Sequence, residues 1–131
     1  MTRLLIVAAG GALGAVARYG IGLGAVRLFP AAQWPWGTLA VNVVGGLRMG
    51  LLAGWLAFRG GLLGESLRLF AAVGVLGGFT TFSAFSRETA LMIERRQLAM
   101  AGGYVAASVI LSIAALFLGL MVARRAFGAA L

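Results

Sequence analysis

Four apolar runs, each about as long as a lipid bilayer is thick, follow one another with hardly any polar sequence between them. A spanning helix needs ~20 largely apolar residues, and residues 4–24, 37–58, 67–85 and 99–122 each qualify. With 62% hydrophobic and only 11% charged residues and a mean hydropathy of +1.03, the chain is more apolar than a soluble domain of 131 residues needs to fill its core. The expectation is an all-α integral membrane protein with four transmembrane helices, one domain over residues 1–131. Four such helices make a bundle too thin to hold a water-filled path in its own middle, so transport requires association of protomers. The first run carries Arg18 near its far end and has no small-residue cleavage site followed by soluble sequence. It reads as a retained span, not a signal peptide.

Missing residue types narrow the chemistry. Without cysteine there is neither a disulfide nor a thiolate metal site. Without histidine the usual proton relay, the imidazole ligand and most triads are gone. No nucleophile and base pair can be assembled, so an enzyme is not expected. The net charge of +8 comes from 11 arginines against three glutamates. These arginines are scattered, singly or in adjacent pairs, mostly through loops and helix ends and are not interleaved with aromatics on one surface, which argues against nucleic acid as a partner.

Their distribution says little about orientation. With four spans, Arg3, Arg59, Arg68, Arg124 and Arg125 share one side of the membrane, and Arg27, Arg87, Arg95 and Arg96 share the other. Orientation follows an excess of Lys and Arg in short cytoplasmic loops, and here the two sides nearly balance. Insertion in both directions is the expectation, which allows an antiparallel homodimer with its two-fold axis in the membrane plane.

Three of the runs read as ordinary spans with small residues such as Gly10, Gly11, Gly14, Gly45, Gly46 and Gly50, where backbones approach closely. The third does not. Gly77 and Gly78 precede Thr80, Thr81 and Ser83, whose hydroxyls compete for backbone hydrogen bonds. A helix break over 77–83 follows. Breaks of this kind expose carbonyls to cations and N–H groups to anions, although Gly-Gly with Ser and Thr also makes a close-packing face.

Side chains around the break are polar without being charged. Phe82 and Phe85, three apart, share a helix face, and their ring edges carry the positive end of the aromatic quadrupole. Tyr104, Ser108 and Ser112 repeat at i, i+4 and i+8 and put three hydroxyls on one stripe. Thr38 and Asn42 form a similar pair at the start of the second run. Each set suits a small anion, but each is also what packing or interhelical hydrogen bonding would use, the commoner role of such residues in a membrane helix.

Three blocks of the chain resemble the Fluc (CrcB) family of fluoride channels, over essentially its whole length. They are Gly-Gly-Ala-Leu-Gly-Ala-Val-Ala-Arg-Tyr at 10–19, Trp-Gly-Thr-Leu-Ala-Val-Asn-Val-Val-Gly at 36–45, and Gly-Gly-Phe-Thr-Thr-Phe-Ser-Ala-Phe-Ser at 77–86 followed by Glu88. The resemblance implies a multi-pass protein of the bacterial inner membrane, an antiparallel dual-topology homodimer with two pores that exports fluoride passively and so confers fluoride resistance. It also implies a structural sodium ion on the backbone carbonyls of Gly77 and Thr80. The implied fluoride pathway uses Asn42, Phe82, Phe85 and Ser83, with Tyr104, Ser108 and Ser112 as a polar track and Thr38 nearby. Arg18 corresponds to an arginine toward a vestibule, and Glu88 receives no pore role.

One residue departs from that pattern. Arg48 falls near the middle of the second run where an aliphatic residue is expected, about 120° around the helix from Asn42. The competing reading of the chain is a small dual-topology multidrug or cation exporter. Such exporters need a carboxylate within the membrane, whereas Glu65, Glu88 and Glu94 are expected at helix ends or in loops. A non-transporting helical subunit leaves the hydroxyls and the break unexplained.

Overall fold

The structure is a computed structural model that describes residues 1–128, and for residues 59–63 the backbone alone. The charge assigned to Arg59 and the last three residues of the 1–131 domain therefore lie outside the described residues. The elements are α1 (Thr2–Leu28), α2 (Trp36–Arg68), a π-helical stretch (Leu69–Leu76), α3 (Gly77–Phe79), α4 (Phe82–Glu94) and α5 (Leu98–Gly128). Four stretches are long and apolar enough to cross a membrane: Thr2–Leu28, Trp36–Phe58, Gly64–Glu94 and Leu98–Gly128.

Turn chemistry sets the boundaries. Pro35 caps the start of α2, and Trp36 N–H donates to the Trp34 carbonyl at 2.9 Å. The second and third spans are joined without a loop: α2 runs on to Arg68, and one residue, Gly64 at φ 72°, leaves helical geometry. Glycine takes that left-handed conformation without a Cβ clash. Arg96 makes the opposite turn at φ 59°, and Gln97 N–H returns to the Met92 carbonyl at 2.9 Å.

The third span extends beyond the expected residues 67–85 to Glu94. Serine and threonine hydroxyls make this possible by bonding to the preceding turn. Ser86 Oγ donates to the Phe82 carbonyl and Thr89 Oγ1 to the Phe85 carbonyl, each at 2.9 Å. Their polarity is thereby spent inside the helix.

Glycines decide which helices lie side by side. Along α1, a Cβ at Gly10 would stand 2.5 Å from the Phe70 carbonyl oxygen, and one at Gly78 would stand 2.5 Å from that of Gly11. On α2, a Cβ at Gly46 would come within 2.6 Å of the Ser112 carbonyl, and Gly50 lies against the Leu116 carbonyl in the same way. Thus α1 lies on the π-helical stretch and α2 on α5, with backbones in direct contact as lipid-embedded helices allow. The core is small and sits toward one end, where Leu39, Phe85, Met92, Ala101 and Tyr104 cluster with Trp34 packed against them.

Candidate functional site

The break falls at Thr80 and Thr81, in the middle of the expected 77–83 stretch. Gly77 remains helical at φ −64° and ψ −38°, whereas Thr80 has ψ 155° and Thr81 φ −149° and ψ 117°, both extended. Gly78, not Gly77, serves the contact with α1, and the threonines make the turn. Thr80 Oγ1 and its N–H both donate to the Leu76 carbonyl at 3.0 Å, ending the first half. Thr81 Oγ1 accepts from Ala84 N–H at 3.2 Å and so caps α4.

Two side chains from other helices hold the unwound backbone. Asn42 Nδ2 donates to the Thr81 carbonyl at 3.1 Å, and Thr81 N–H donates to Asn42 Oδ1 at 2.9 Å. One amide thus replaces the peptide partner that continued helix would supply. In an uninterrupted helix the Thr81 N–H would bond Gly77, so the Gly77 carbonyl is released. Arg18 Nε donates to the Gly78 carbonyl at 3.2 Å. Arg18 therefore reaches the break and is not among the residues lining the larger pocket at the mouth of the molecule.

Most of the candidate pathway residues line one of two hollows, and Ser83 and Tyr104 line neither. An open groove of about 460 Å³ is lined by Asn42, Thr80, Phe82, Phe85, Ser108 and Ser112 together with glycines and aliphatic residues of α2 and α5. Among the described residues, no ionisable side chain lines it. Phe82 and Phe85 lie 5.4 Å apart between ring centroids, as their spacing predicts, but Phe82 is 78% exposed and Phe85 only 9%. Ser108 Oγ and Ser112 Oγ are buried and have no hydrogen-bond partner among the described residues. Ser83 does not line this groove; its hydroxyl lies 3.2 Å from Thr81 Oγ1.

The second hollow, about 720 Å³, opens at the end of the bundle and is lined in part by Thr38, Glu88, Arg87, Arg95, Trp34 and Trp36. Tyr104 stands between the two. It is fully buried, its hydroxyl donates to Glu88 Oε2 at 2.7 Å, and its ring packs 5.4 Å from that of Phe85. Thr38 Oγ1 donates to the other carboxylate oxygen, Glu88 Oε1, also at 2.7 Å.

Glu88 is the residue that sequence reasoning missed. It lies within α4, not at a helix end, and gathers Thr38 and Tyr104 about one carboxylate. Its position three after Phe85 on the same helix face was the available signal. Glu65 and Glu94 lie at the two ends of the third span, as expected, and Glu65 pairs there with Arg3 at 2.9 Å.

Arg48 is exposed within the single chain, and its guanidinium carbon lies 6.0 Å from the centroid of the Phe79 ring. Among the described residues, no three His, Cys, Asp or Glu side chains gather to hold a metal. A cation at the break would have backbone oxygens as its ligands. Gly77 and Thr80 fit that demand, since the break frees the Gly77 carbonyl and turns Thr80 out of the helix.

Comparison with known proteins follows the same residues. The family described as CrcB-like protein, Camphor Resistance (CrcB) matches residues 5–120. A Caulobacter species has a relative named fluoride-specific ion channel FluC that is 65% identical over 127 residues, covering 97% of this chain and 98% of the relative. Relatives of the same name in Caulobacter vibrioides and Phenylobacterium zucineum are 61% and 58% identical, each over 97% of this chain and 99% of their own length.

Proposed function

The chain belongs to the CrcB family of multi-pass membrane proteins, and on that premise we propose that it is a fluoride-selective channel that lets the ion leave the cell passively. The observation that carries this reading within the fold is that Ser108 and Ser112 line the groove beside the two phenylalanines, and that their buried hydroxyls have no hydrogen-bond partner among the described residues. A buried hydroxyl without a partner costs ~1–3 kcal/mol, a cost that an anion passing along the groove offsets. Fluoride is small and strongly hydrated, so a selective path must replace its water with several preplaced donors. The serine hydroxyls and the second N–H of Asn42 Nδ2 supply donors, and the ring edges of Phe82 and Phe85 supply partial positive charge. None of these carries a fixed charge that would trap the ion.

The functional unit proposed is an antiparallel homodimer with two pores. Support comes from the groove, which is open along one side in the single chain, and from exposed apolar residues such as Phe82, Val73 and Ile110. A structural sodium ion on the Gly77 and Thr80 carbonyls belongs to the same reading. One chain offers two such oxygens, too few to enclose an ion, so the second copy must bring its own. When bound, the ion supplies positive charge between two facing breaks.

The alternative reading, a cation exporter, draws on Glu88 lying inside the third span. Both oxygens of that carboxylate already accept hydrogen bonds, which fits a positioning role for Thr38 and Tyr104 better than alternate binding of a cation and a proton. Reconstitution into liposomes with a fluoride electrode decides the matter. Efflux far above that of empty vesicles, with chloride held back, is expected; efflux at the empty-vesicle level, or transport of an organic cation instead, would overturn the reading.

A further inference from the structure

Arg48 is one of three residues of α2 that meet the break. Asn42, Gly45 and Arg48 recur every three residues and so wind about 120° around the helix from first to last, and they meet the break in reverse chain order. Asn42 bonds the backbone of Thr81. Gly45 lies against Thr80 Cγ2 and 3.3 Å, measured from a Cβ placed on it, from the Phe79 ring. Arg48 sets its guanidinium on that same ring at 6.0 Å. The arginine is therefore the third contact of α2 with residues 79–81, not a stray charge on a lipid-facing surface.

Its donors are nonetheless unspent. Among the described residues, Arg48 makes neither an ion pair nor a hydrogen bond, and a ring face accepts charge without satisfying five N–H groups. It lies near the middle of the second span, Trp36–Phe58, and is exposed in the single chain. A guanidinium at that depth requires acceptors from protein or a wet cavity. Backbone acceptors are what the neighbouring break sets free.

Resting on the dimer and sodium reading above, we propose that Arg48 is a built-in cation of the break. Its tethered charge answers the carbonyl dipoles that the sodium ion also answers, and assembly depends on bath sodium less steeply than in a chain with an uncharged residue at 48. Two effects act in the same direction. The guanidinium is present at fixed local concentration whatever the bath contains, and its positive charge opposes entry of a second cation.

The test uses the full-length protein purified in detergent, with sodium exchanged for N-methylglucamine at constant ionic strength. The half-life of the dimer is read for the parent, Arg48→Leu, Arg48→Gln and Arg48→Lys. Removing sodium is expected to shorten that half-life less than about twofold for the parent and Arg48→Lys, and more than about tenfold for Arg48→Leu and Arg48→Gln, as linkage to a bound ion predicts. Gln keeps donors without charge and guards against a leucine variant that fails to fold. Equal sodium dependence in the parent and the uncharged variants overturns the proposal while leaving the sodium site standing. Indifference to sodium in all four overturns both, and neither result bears on fluoride efflux by the parent.

Discussion

An asparagine side chain carries the same donor and acceptor as a peptide group, and Asn42 uses both on Thr81. Removing it as Asn42→Ala takes away two hydrogen bonds of ~1 kcal/mol each and strands the Thr81 groups, enough to lower fluoride efflux more than about tenfold. Asn42→Asp keeps the acceptor and loses the donor, so efflux between that of Ala and the parent identifies the clamp as a two-way one. Phe82→Ile retains apolar bulk but removes the ring edge. Its efflux is expected to fall strongly while the dimer persists on gel filtration, and undiminished flux would reduce Phe82 to packing. Arg48 poses the opposite balance. A mid-membrane guanidinium costs ~2.5–3.5 kcal/mol and a ring contact returns ~0.5–2, a shortfall that the single chain leaves open. At this scale the Ser108 and Ser112 stripe and the Asn42 face were legible, because helical spacing places side chains without knowledge of neighbours. Glu88 was legible only in part: its place three residues after Phe85 puts it on the same helix face, but its importance lies in the donors that α2 and α5 bring to it, which no spacing within α4 reveals.

Helices in this chain meet backbone to backbone, and the glycines that permit it differ sharply in what surrounds them. A methyl group at Gly50 meets the Leu116 carbonyl, while one at Gly20 has nothing within 4 Å. Gly50→Ala is therefore expected to destabilise the protein by ~1–3 kcal/mol through overpacking. Gly20→Ala is expected to leave it unchanged or stabilise it by up to ~1 kcal/mol through helix propensity; thermal unfolding in detergent compares the two. The four spans were legible from apolar run length alone. Their ends and the position of the break were less so. Sequence drew attention to Gly77 and Gly78 because glycine weakens a helix, yet Gly78 is needed for the approach of Gly11 and the chain unwinds two residues later. The π-helical Leu69–Leu76 also had no signal, since its residues are ordinary apolar ones.

Arginines spread almost evenly over the two ends give the whole molecule no strong instruction to insert one way. The absence of cysteine makes that testable, since a single cysteine introduced in the 95–97 turn is the one thiol in the protein. A membrane-impermeant thiol reagent is expected to label roughly half of the copies from each side; labelling of nearly all copies from one side would exclude the antiparallel dimer. The groove has one more consequence. Acid surroundings convert part of the fluoride outside a cell into a neutral molecule that crosses lipid unaided, so the burden of expelled anion rises as pH falls. Among the described residues, the side chains lining the groove include no group that titrates between about pH 5 and 8. If the groove is the exit, as proposed, it stays electrically the same while demand on it grows, and flux per fluoride ion is expected to stay flat across that interval.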